Sequence, residues 1–232
     1  MQSYLLNQIK PDKTKALMLA KRQLPELVCD AVNLEGIAMT LPEVQTLLDG
    51  ITVGGHKISD ELITLNQAEA WRFLFREIKD NRFSLSKRFV CDIHKIAAKE
   101  EALHWGCFRD GYVTISGTTY QPPAAEKLDE LWQAITQIAA SQDCDIIYNQ
   151  AIGLFLDMAR IQFFYDVNKR SGRFMMNGLL LSRGLPVINL PAKHQLQFNE
   201  LMLQFYTSGD KQEMIAFMKS CLDPRVIEIM SA

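Results

Sequence analysis

The densest group of side chains that could do chemistry lies between residues 162 and 173. This segment reads QFFYDVNKRSGR and holds one carboxylate, Asp166, with three cations, Lys169, Arg170 and Arg173. It precedes a strongly apolar segment, which places it at a predicted helix N-terminus. Free backbone N–H groups and the helix dipole favour an anion there, and Asp166 could hold a divalent cation that neutralises phosphates.

The same segment also fits a plainer interpretation. Asn168 could cap the helix and orient the loop before it. Asp166 would then pair with a neighbouring cation in a polar cap at the surface. Spacing alone favours neither interpretation, because short motif matches carry a false-positive risk.

Helical periodicity dominates the elements that must position this segment. Apolar residues recur every three or four positions over 85–97, 128–138 and 147–161. Residues 174–183 are apolar on nearly every side and end before Gly184, which predicts a central helix. Further helices are predicted near 13–35, 42–49, 60–79, 193–207 and 210–221. The pattern predicts an all-α fold.

One stretch departs from the helical period. Residues 111–120, GYVTISGTTY, are rich in Val, Ile, Thr and Tyr around Gly117. This composition predicts a small β-hairpin. Pro122 and Pro123 then suit the first turn of the next helix.

Composition and charge exclude several classes of protein. The 232 residues carry 25 Lys and Arg against 27 Asp and Glu, and 48% are hydrophobic. Such a chain is neither disordered nor a broadly basic nucleic-acid-binding protein, so we expect no nucleic-acid partner. A chain of this size can bury roughly 70% of its unfolded surface in one core.

Cysteine spacing and the N-terminus bear on compartment. The five cysteines form no CxxC pair, which favours free thiols in a reducing cytosol. The N-terminal MQSYLLNQIKPDK lacks a basic region followed by an apolar core, so we expect no signal peptide. No apolar run reaches about 18 residues, which predicts no membrane span. These features together predict a cytoplasmic protein.

The 162–173 segment resembles the signature of the Fic (Fic/Doc) family, H-x-F-x-[D/E]-G-N-[G/K]-R-x-x-R. The positions that match in register are Phe164, Asp166, Asn168, Lys169, Arg170 and Arg173. Asn66, in LNQAEAW, resembles the N-x-x-A helix that often precedes the family's core. The resemblance implies a Fic-like helical bundle with a small β-hairpin flap, over residues 51–232.

A second stretch resembles the family's target-docking flap, V-x-I-x-G followed by a proline pair. Its residues are Val113, Thr114, Ile115, Ser116 and Gly117. The resemblance implies that a protein target adds a strand to this flap. Whether the chain forms a homo-oligomer stays open.

An upstream segment resembles the family's inhibitory helix, [S/T]-x-x-x-E-[G/N]. Glu35 and Gly36 match, while Ala31 replaces the Ser or Thr. In the family this glutamate pairs with the second motif arginine, here Arg173, and keeps it from the γ-phosphate of ATP. Residues 1–50 would then be an N-terminal helical segment that carries the inhibitory helix. Without the resemblance, Glu35 is an ordinary helix residue on a solvated face.

The resemblance implies an enzyme that transfers AMP from ATP to Ser, Thr or Tyr hydroxyls of a protein. Asp166 would bind Mg²⁺, and Asn168, Arg170 and the loop N–H groups would bind phosphates. Arg173 would hold the γ-phosphate, and Lys169 would add its charge to the same anion space.

Two positions depart from the family's pattern. Gln162 stands where the family has its general-base histidine, and an amide cannot accept a proton as an imidazole does at neutral pH. General-base catalysis contributes about 10²–10⁴-fold, so we expect weak or absent AMP transfer. Val167 replaces a glycine, and a β-branched residue disfavours positive φ, which predicts a reshaped loop.

Three hypotheses follow from these residues. The chain is an impaired Fic-fold protein that still binds nucleotide or a target, or an active AMP- or phosphotransferase with a different base. The third hypothesis is a non-enzymatic protein-interaction module. Two residues outside the motif are predicted to be structural: His94, beside core positions of the 85–97 helix, and Arg109, in a segment resembling the family's G-x-[FY]-R.

Overall fold

The computed structural model describes Leu6 and residues 8–232, and this described part contains eleven α-helices. Their bounds are Lys13–Arg22 (α1), Leu24–Leu34 (α2), Leu41–Leu48 (α3), Ile58–Lys79 (α4), Lys87–Ala97 (α5), Leu128–Ile135 (α6), Cys144–Ile161 (α7), Asn168–Ser182 (α8), Gln195–Ser208 (α9), Gln212–Ser220 (α10) and Pro224–Ser231 (α11). The prediction of an all-α fold is confirmed for this part of the chain.

The expectation about a signal peptide concerns the N-terminus, where residues 1–5 and 7 lie outside the described part. None of the described helices is both long and apolar enough to cross a bilayer. The division of the chain near residue 50 stays a prediction.

Helix α8 is the centre of the bundle, as its apolar sequence predicts. Most of its side chains are buried, and it packs against α7 along its length and against α4 and α5. Gly172 lets α7 and α8 approach closely, because an added Cβ would lie 3.0 Å from the Phe155 ring and 3.2 Å from the Phe155 carbonyl oxygen. The motif segment is therefore held at the N-terminal end of a helix that cannot move without disturbing the core.

The predicted helix near 13–35 is divided in two. Helix α1 ends at Arg22, and α2 begins at Leu24 with Pro25 in its first turn. Proline suits a first turn because it lacks the N–H that would be unsatisfied there, whereas inside a continuous helix it would break a hydrogen bond.

The C-terminus of α2 is closed by a Schellman motif around Gly36. Gly36 has φ +85°, its N–H donates to Asn33 O, and the Ile37 N–H donates to Val32 O at 3.0 Å. A left-handed glycine directly after the cap is the usual way to satisfy these carbonyls. Glu35 is the C-cap residue itself, so its backbone is fixed by the end of the helix.

Side chains from the far end of the chain hold α2 in place. The Gln195 amide donates to Asn33 O at 3.1 Å and to Leu34 O at 3.2 Å. The Asp30 carboxylate accepts hydrogen bonds from the Asn189 amide and from the Ala192 N–H. These bonds join the helix that carries Glu35 to the segment that leads into α9.

The predicted β-hairpin over Gly111–Tyr120 is wrong. The described residues form no strand, and no backbone hydrogen bond joins the two arms of this segment. Val113, Thr114, Ile115 and the arm after Gly117 have no regular secondary structure. Only the turn at Ser116 and Gly117 is as expected, with Gly117 at φ +84°.

We call this segment, Gly111–Tyr120, the flap. Its two arms contact helices α7 and α9 and do not pair with each other. An added Cβ at Gly117 would lie 2.9 Å from Leu203 of α9. The Arg160 guanidinium stacks over the Tyr120 ring at 4.0 Å from its centroid. β-Branched composition indicates an extended backbone but not a cross-strand partner, and here packing on α7 and α9 replaces the partner strand.

The prediction that His94 is structural is confirmed. Its ring is buried on α5 and stacks on Phe164 with a centroid separation of 3.7 Å. The Gly106 N–H donates to Nδ1 at 3.1 Å, so Nε2 must carry the proton that faces Asp166 O at 3.2 Å. Burial lowers the pKa of His94 to about 4. A neutral imidazole thus holds the backbone of the motif loop.

We expect acid to destabilise the protein through His94. The unfolded imidazole takes up a proton near pH 6.5 and the folded one only near pH 4, so stability is present above 6.5 and is lost between these values. The loss is about 3.5 kcal/mol of unfolding free energy, since one pKa unit corresponds to about 1.4 kcal/mol. Urea unfolding at several pH values measures it. His94→Gln should have a shallower pH dependence, and equal slopes in the two proteins would contradict this assignment.

Candidate functional site

A cleft of about 640 Å³ opens at the N-terminal end of α8. Three walls enclose it: the 162–170 loop, the flap over 114–117, and one face of α9, with Glu35 at the edge. The α9 face consists of Asn199, Met202, Leu203 and Tyr206. The fold therefore brings the motif segment, the flap and Glu35 together, although they are far apart in sequence.

Gln162 lies at the end of α7 with a left-handed backbone, φ +57°. Both ends of its side-chain amide are hydrogen-bonded: Nε2 donates to Ala159 O at 2.6 Å, and Oε1 accepts from Asn168 Nδ2 at 2.9 Å. The amide is thus part of the loop's internal bonding. It lines the cleft without a group that could accept a proton.

Asn168 organises the loop from the inside. Its Oδ1 accepts from the Phe164 N–H, and its Nδ2 donates to Phe164 O, both at 2.8 Å. With the bond to Gln162, these contacts use both donors of the buried amide. Asn168 therefore orients the loop, as expected, but the expected helix cap is wrong, because Asn168 is the first residue of α8 and Val167 occupies the N-cap position.

Val167 adopts the left-handed conformation that a glycine would take without cost. Its φ is +60°, and its side chain is buried. For a β-branched residue this conformation stores about 1–3 kcal/mol of strain. The expected reshaping is therefore not seen at this residue: Val167 takes the left-handed backbone that a glycine permits, and the cost is strain.

The N-terminus of α8 has no capping side chain. Val167 occupies the N-cap position and offers no oxygen to the first-turn N–H groups. The first three N–H groups, of Asn168, Lys169 and Arg170, have no partner inside the helix. With the helix dipole they form a positive end that faces the cleft and favours an anion.

Glu35 supplies negative charge at this positive end. Its carboxylate lies 3.4 Å from Arg173 Nη2, 3.7 Å from Lys169 Nζ and 4.0 Å from Arg170 Nε. Burial opposes its ionisation, but the charges of Lys169, Arg173 and Arg170 outweigh burial and hold the pKa of Glu35 below its usual value. The carboxylate is therefore charged at neutral pH.

A second carboxylate, Glu101, was missed in the sequence. Arg170 Nη1 donates to Glu101 Oε2 at 2.9 Å, and Arg170 Nη2 donates to Glu101 Oε1. Glu101 follows α5, 69 positions before its partner. No spacing rule joins residues this far apart, so only the folded chain reveals the pair.

The α9 wall was also missed, although its signal is visible. Its residues follow Asn199 by three, four and seven positions, at Met202, Leu203 and Tyr206. This spacing places all four on one helix face. The sequence predicts this helix near 193–207. Nothing local, however, indicates that this face lies opposite the motif loop.

The donor set at Asp166 fits Mg²⁺ only together with phosphate oxygens. Asp166 is exposed at the cleft and accepts a hydrogen bond from the Val167 N–H at 2.6 Å. The described residues contain no cluster of three or more His, Cys, Asp or Glu that could hold a metal. Mg²⁺ commonly takes one or two carboxylates and completes its shell with water and phosphate oxygens, which matches a single carboxylate beside an anion site.

Arg109 joins the flap to the motif loop, which confirms its structural assignment. The buried guanidinium donates to backbone carbonyls of Gln162 at 2.6 Å, Gly111 at 2.6 Å and Pro123 at 2.5 Å. Burial lowers the pKa of Arg109. The base of the flap and the position of Gln162 therefore depend on one side chain.

Residues 84–180 match the model of the Fic/DOC family. Protein adenylyltransferase Fic of Drosophila mojavensis is 23% identical over 217 residues, which cover 91% of this chain and 42% of that protein. The corresponding protein of Drosophila grimshawi is 23% identical over 213 residues, 90% of this chain and 43% of that protein. The chain thus spans about two fifths of the length of these relatives.

Two solved structures share the fold. A Fic domain-containing signalling protein from Bacteroides thetaiotaomicron has a TM-score of 0.78 and 17% identity, over 99% of this chain and 94% of that chain. Fic-1 from C. elegans has a TM-score of 0.78 and 16% identity, over 99% of this chain and 67% of that chain.

We expect Arg109→Ala to destabilise the protein by about 3 kcal/mol or more. The substitution removes the guanidinium donors of four backbone carbonyls, the fourth being Ile161 O at 3.4 Å, and each lost bond costs about 1 kcal/mol. Urea unfolding measures the change. The exposed Arg88, 3.8 Å from Asp92 on α5, is the matched control, and Arg88→Ala should leave the unfolding free energy almost unchanged. Equal effects of the two substitutions would contradict this structural role of Arg109.

Proposed function

We propose that this protein, which belongs to the Fic/DOC family through residues 84–180, binds ATP with Mg²⁺ in the cleft but transfers AMP to protein hydroxyls only weakly. The observation that carries this proposal is Gln162, an amide at the general-base position with both ends hydrogen-bonded inside the loop. The relatives named protein adenylyltransferase Fic support the reaction class.

Charge and backbone geometry support a nucleotide in this cleft. The uncapped N-terminus of α8 offers backbone N–H groups, and Lys169 adds a positive charge in the cleft. Arg173 is not among the residues that line the cleft, but it lies 3.4 Å from the Glu35 carboxylate at the same end of α8. Phosphate oxygens suit these donors. Asp166 would hold Mg²⁺ between carboxylate and phosphate oxygens, and the bound Mg²⁺ would neutralise charge that develops on the phosphates.

Glu35 would act as an inhibitor of this binding. Its carboxylate already occupies the space beside Lys169 and Arg173 that phosphate oxygens would need. A phosphate that enters must either displace the carboxylate or tolerate its repulsion. The Schellman motif and Gln195 hold Glu35 in this position, so displacement requires movement at the end of α2.

Weak transfer follows from the amide of Gln162, which cannot accept the proton of the attacking hydroxyl at the general-base position. Among the described residues that line the cleft there is no histidine. The buried His94 faces the loop from the other side and donates from Nε2 to Asp166 O. What remains for catalysis is positioning and charge stabilisation.

The flap would receive the protein target. Its backbone over 112–116 makes no backbone hydrogen bond to another described residue, and Tyr112 is 91% exposed. An extended segment with free N–H and C=O groups can pair with a strand of another protein. Its position above Gln162 would bring the target's hydroxyl to the cleft.

We expect Glu35→Gln to tighten Mg·ATP binding about ten-fold or more. The substitution keeps the size of the side chain but frees Lys169 and Arg173 from their carboxylate. Isothermal titration calorimetry measures the dissociation constant. Glu26→Gln removes the same charge from the exposed first turn of α2 and should leave the affinity unchanged. Equal affinity of wild type and Glu35→Gln, or no binding by either, would contradict the proposal.

We expect Gln162→His to raise AMP transfer about 10²–10⁴-fold in the Glu35→Gln background, because the imidazole restores a general base. Transfer of label from α-³²P-ATP to proteins of a lysate measures it. Gln133→His adds a histidine on the surface of α6 and should have no effect. Strong labelling by the protein with its own Gln162 would favour instead an active transferase with a different base.

A further inference from the structure

A deeply buried charge beside the cleft, the guanidinium of Arg170, is held by a residue outside the motif segment. The Arg170 side chain is only 3% exposed, and that of its partner Glu101 is 19% exposed. Two parallel hydrogen bonds join the guanidinium to the carboxylate. Such a two-point pair fixes orientation as well as distance.

Glu101 itself is carried by a well-defined turn after α5. Ala98 and Ala102 are buried on either side of it, and the Ala102 N–H donates to Ala98 O at 3.2 Å. The Asn66 amide on α4 donates to Lys99 O at 3.0 Å. Glu100 takes a left-handed backbone, φ +62°, which turns the chain so that Glu101 faces Arg170. The carboxylate is thus positioned by both α4 and α5.

The three cations of the motif segment therefore have different partners. Lys169 and Arg173 have ion pairs with Glu35 alone among the described residues. Both Nη groups of Arg170 are bound to Glu101, and only its Nε faces Glu35, at 4.0 Å. Removal of Glu35 would leave Lys169 and Arg173 without a carboxylate partner, but Arg170 would still have one.

We propose that Glu101 is a positioning residue that fixes the first turn of α8 through Arg170. Lys169 and Arg173 then stay available to bind phosphate. The part of this inference that concerns phosphate rests on the proposed function. Arg170 is a residue of that first turn and carries the third of the N–H groups that would face an anion. When the guanidinium is pinned, the direction of these N–H groups is fixed as well.

A simple electrostatic role for Glu101 predicts the opposite result for phosphate. A carboxylate beside an anion site repels the anion, so its removal should tighten binding. If Glu101 positions the turn, its removal should weaken binding even though a negative charge is lost. The sign of the change separates the two roles.

The first experiment needs no nucleotide. Hydrogen exchange followed by mass spectrometry compares wild type, Glu101→Gln and Glu100→Gln, where Glu100 is an adjacent carboxylate that is 61% exposed. We expect peptides covering 162–173 to exchange at least about ten-fold faster in Glu101→Gln only, with peptides over α3 unchanged. Unchanged exchange at 162–173, or equal acceleration everywhere, would overturn the proposal.

A second variant guards against loss of folding. Glu101→Gln leaves Arg170 buried without its carboxylate, which is a costly state. The double variant Glu101→Gln/Arg170→Met removes both charges, so no buried charge is left without a partner. It too should exchange faster over 162–173 while α3 stays protected, and wild-type protection in this folded variant would overturn the proposal.

The second experiment tests how Glu101 affects the binding of the ATP phosphates, in the Glu35→Gln background. We expect added Glu101→Gln to raise the Mg·ATP dissociation constant about ten-fold or more in calorimetry, at a temperature where thermal unfolding confirms that every variant is folded. Added Glu100→Gln should have no such effect. An unchanged or lower dissociation constant would overturn the phosphate part. If Glu35→Gln binds no ATP, the proposed function fails, while hydrogen exchange still decides the role of Glu101.

Discussion

The structure depends on a balance of charge at one point, where the C-terminus of α2 meets the N-terminus of α8. A carboxylate at a helix C-terminus is unfavourable by itself, because the helix dipole is negative there. Glu35 is stable in that position because the positive end of α8 and the side chains of Lys169, Arg170 and Arg173 surround it. The contact proposed to be inhibitory and the proposed anion site thus involve the same set of charges.

The core supports the contact between α2 and α8 by making the motif loop rigid. Asn168 and Gln162 bond the loop to itself, Arg109 fastens it to the flap, and His94 holds it from α5. These contacts also hold Val167 in a conformation that a β-branched residue avoids. A loop with this many bonds keeps its N–H groups directed at the cleft, and electrostatic stabilisation of a bound phosphate requires such preorganisation.

Gln162 fits this structural role better than it fits catalysis. Its amide donates at one end and accepts at the other, so it can bridge α7 and Asn168 at the same time. A neutral imidazole also has one donor and one acceptor, but the acceptor nitrogen is the group that takes the proton in general-base catalysis. The chain therefore combines a well-bonded loop with no proton acceptor at this position.

Periodicity and short motifs are local properties of the chain, and they predict the helical class, the central helix and the motif segment and single out Glu35, His94 and Arg109. β-Branched composition predicts a hairpin at the flap, because it indicates an extended backbone but not what that backbone packs against. Glu101, the α9 wall and the distances from Glu35 to its cations follow from the tertiary structure alone. Ion pairs and cleft walls between residues tens of positions apart depend on how the helices pack, and no local pattern in the chain encodes that packing.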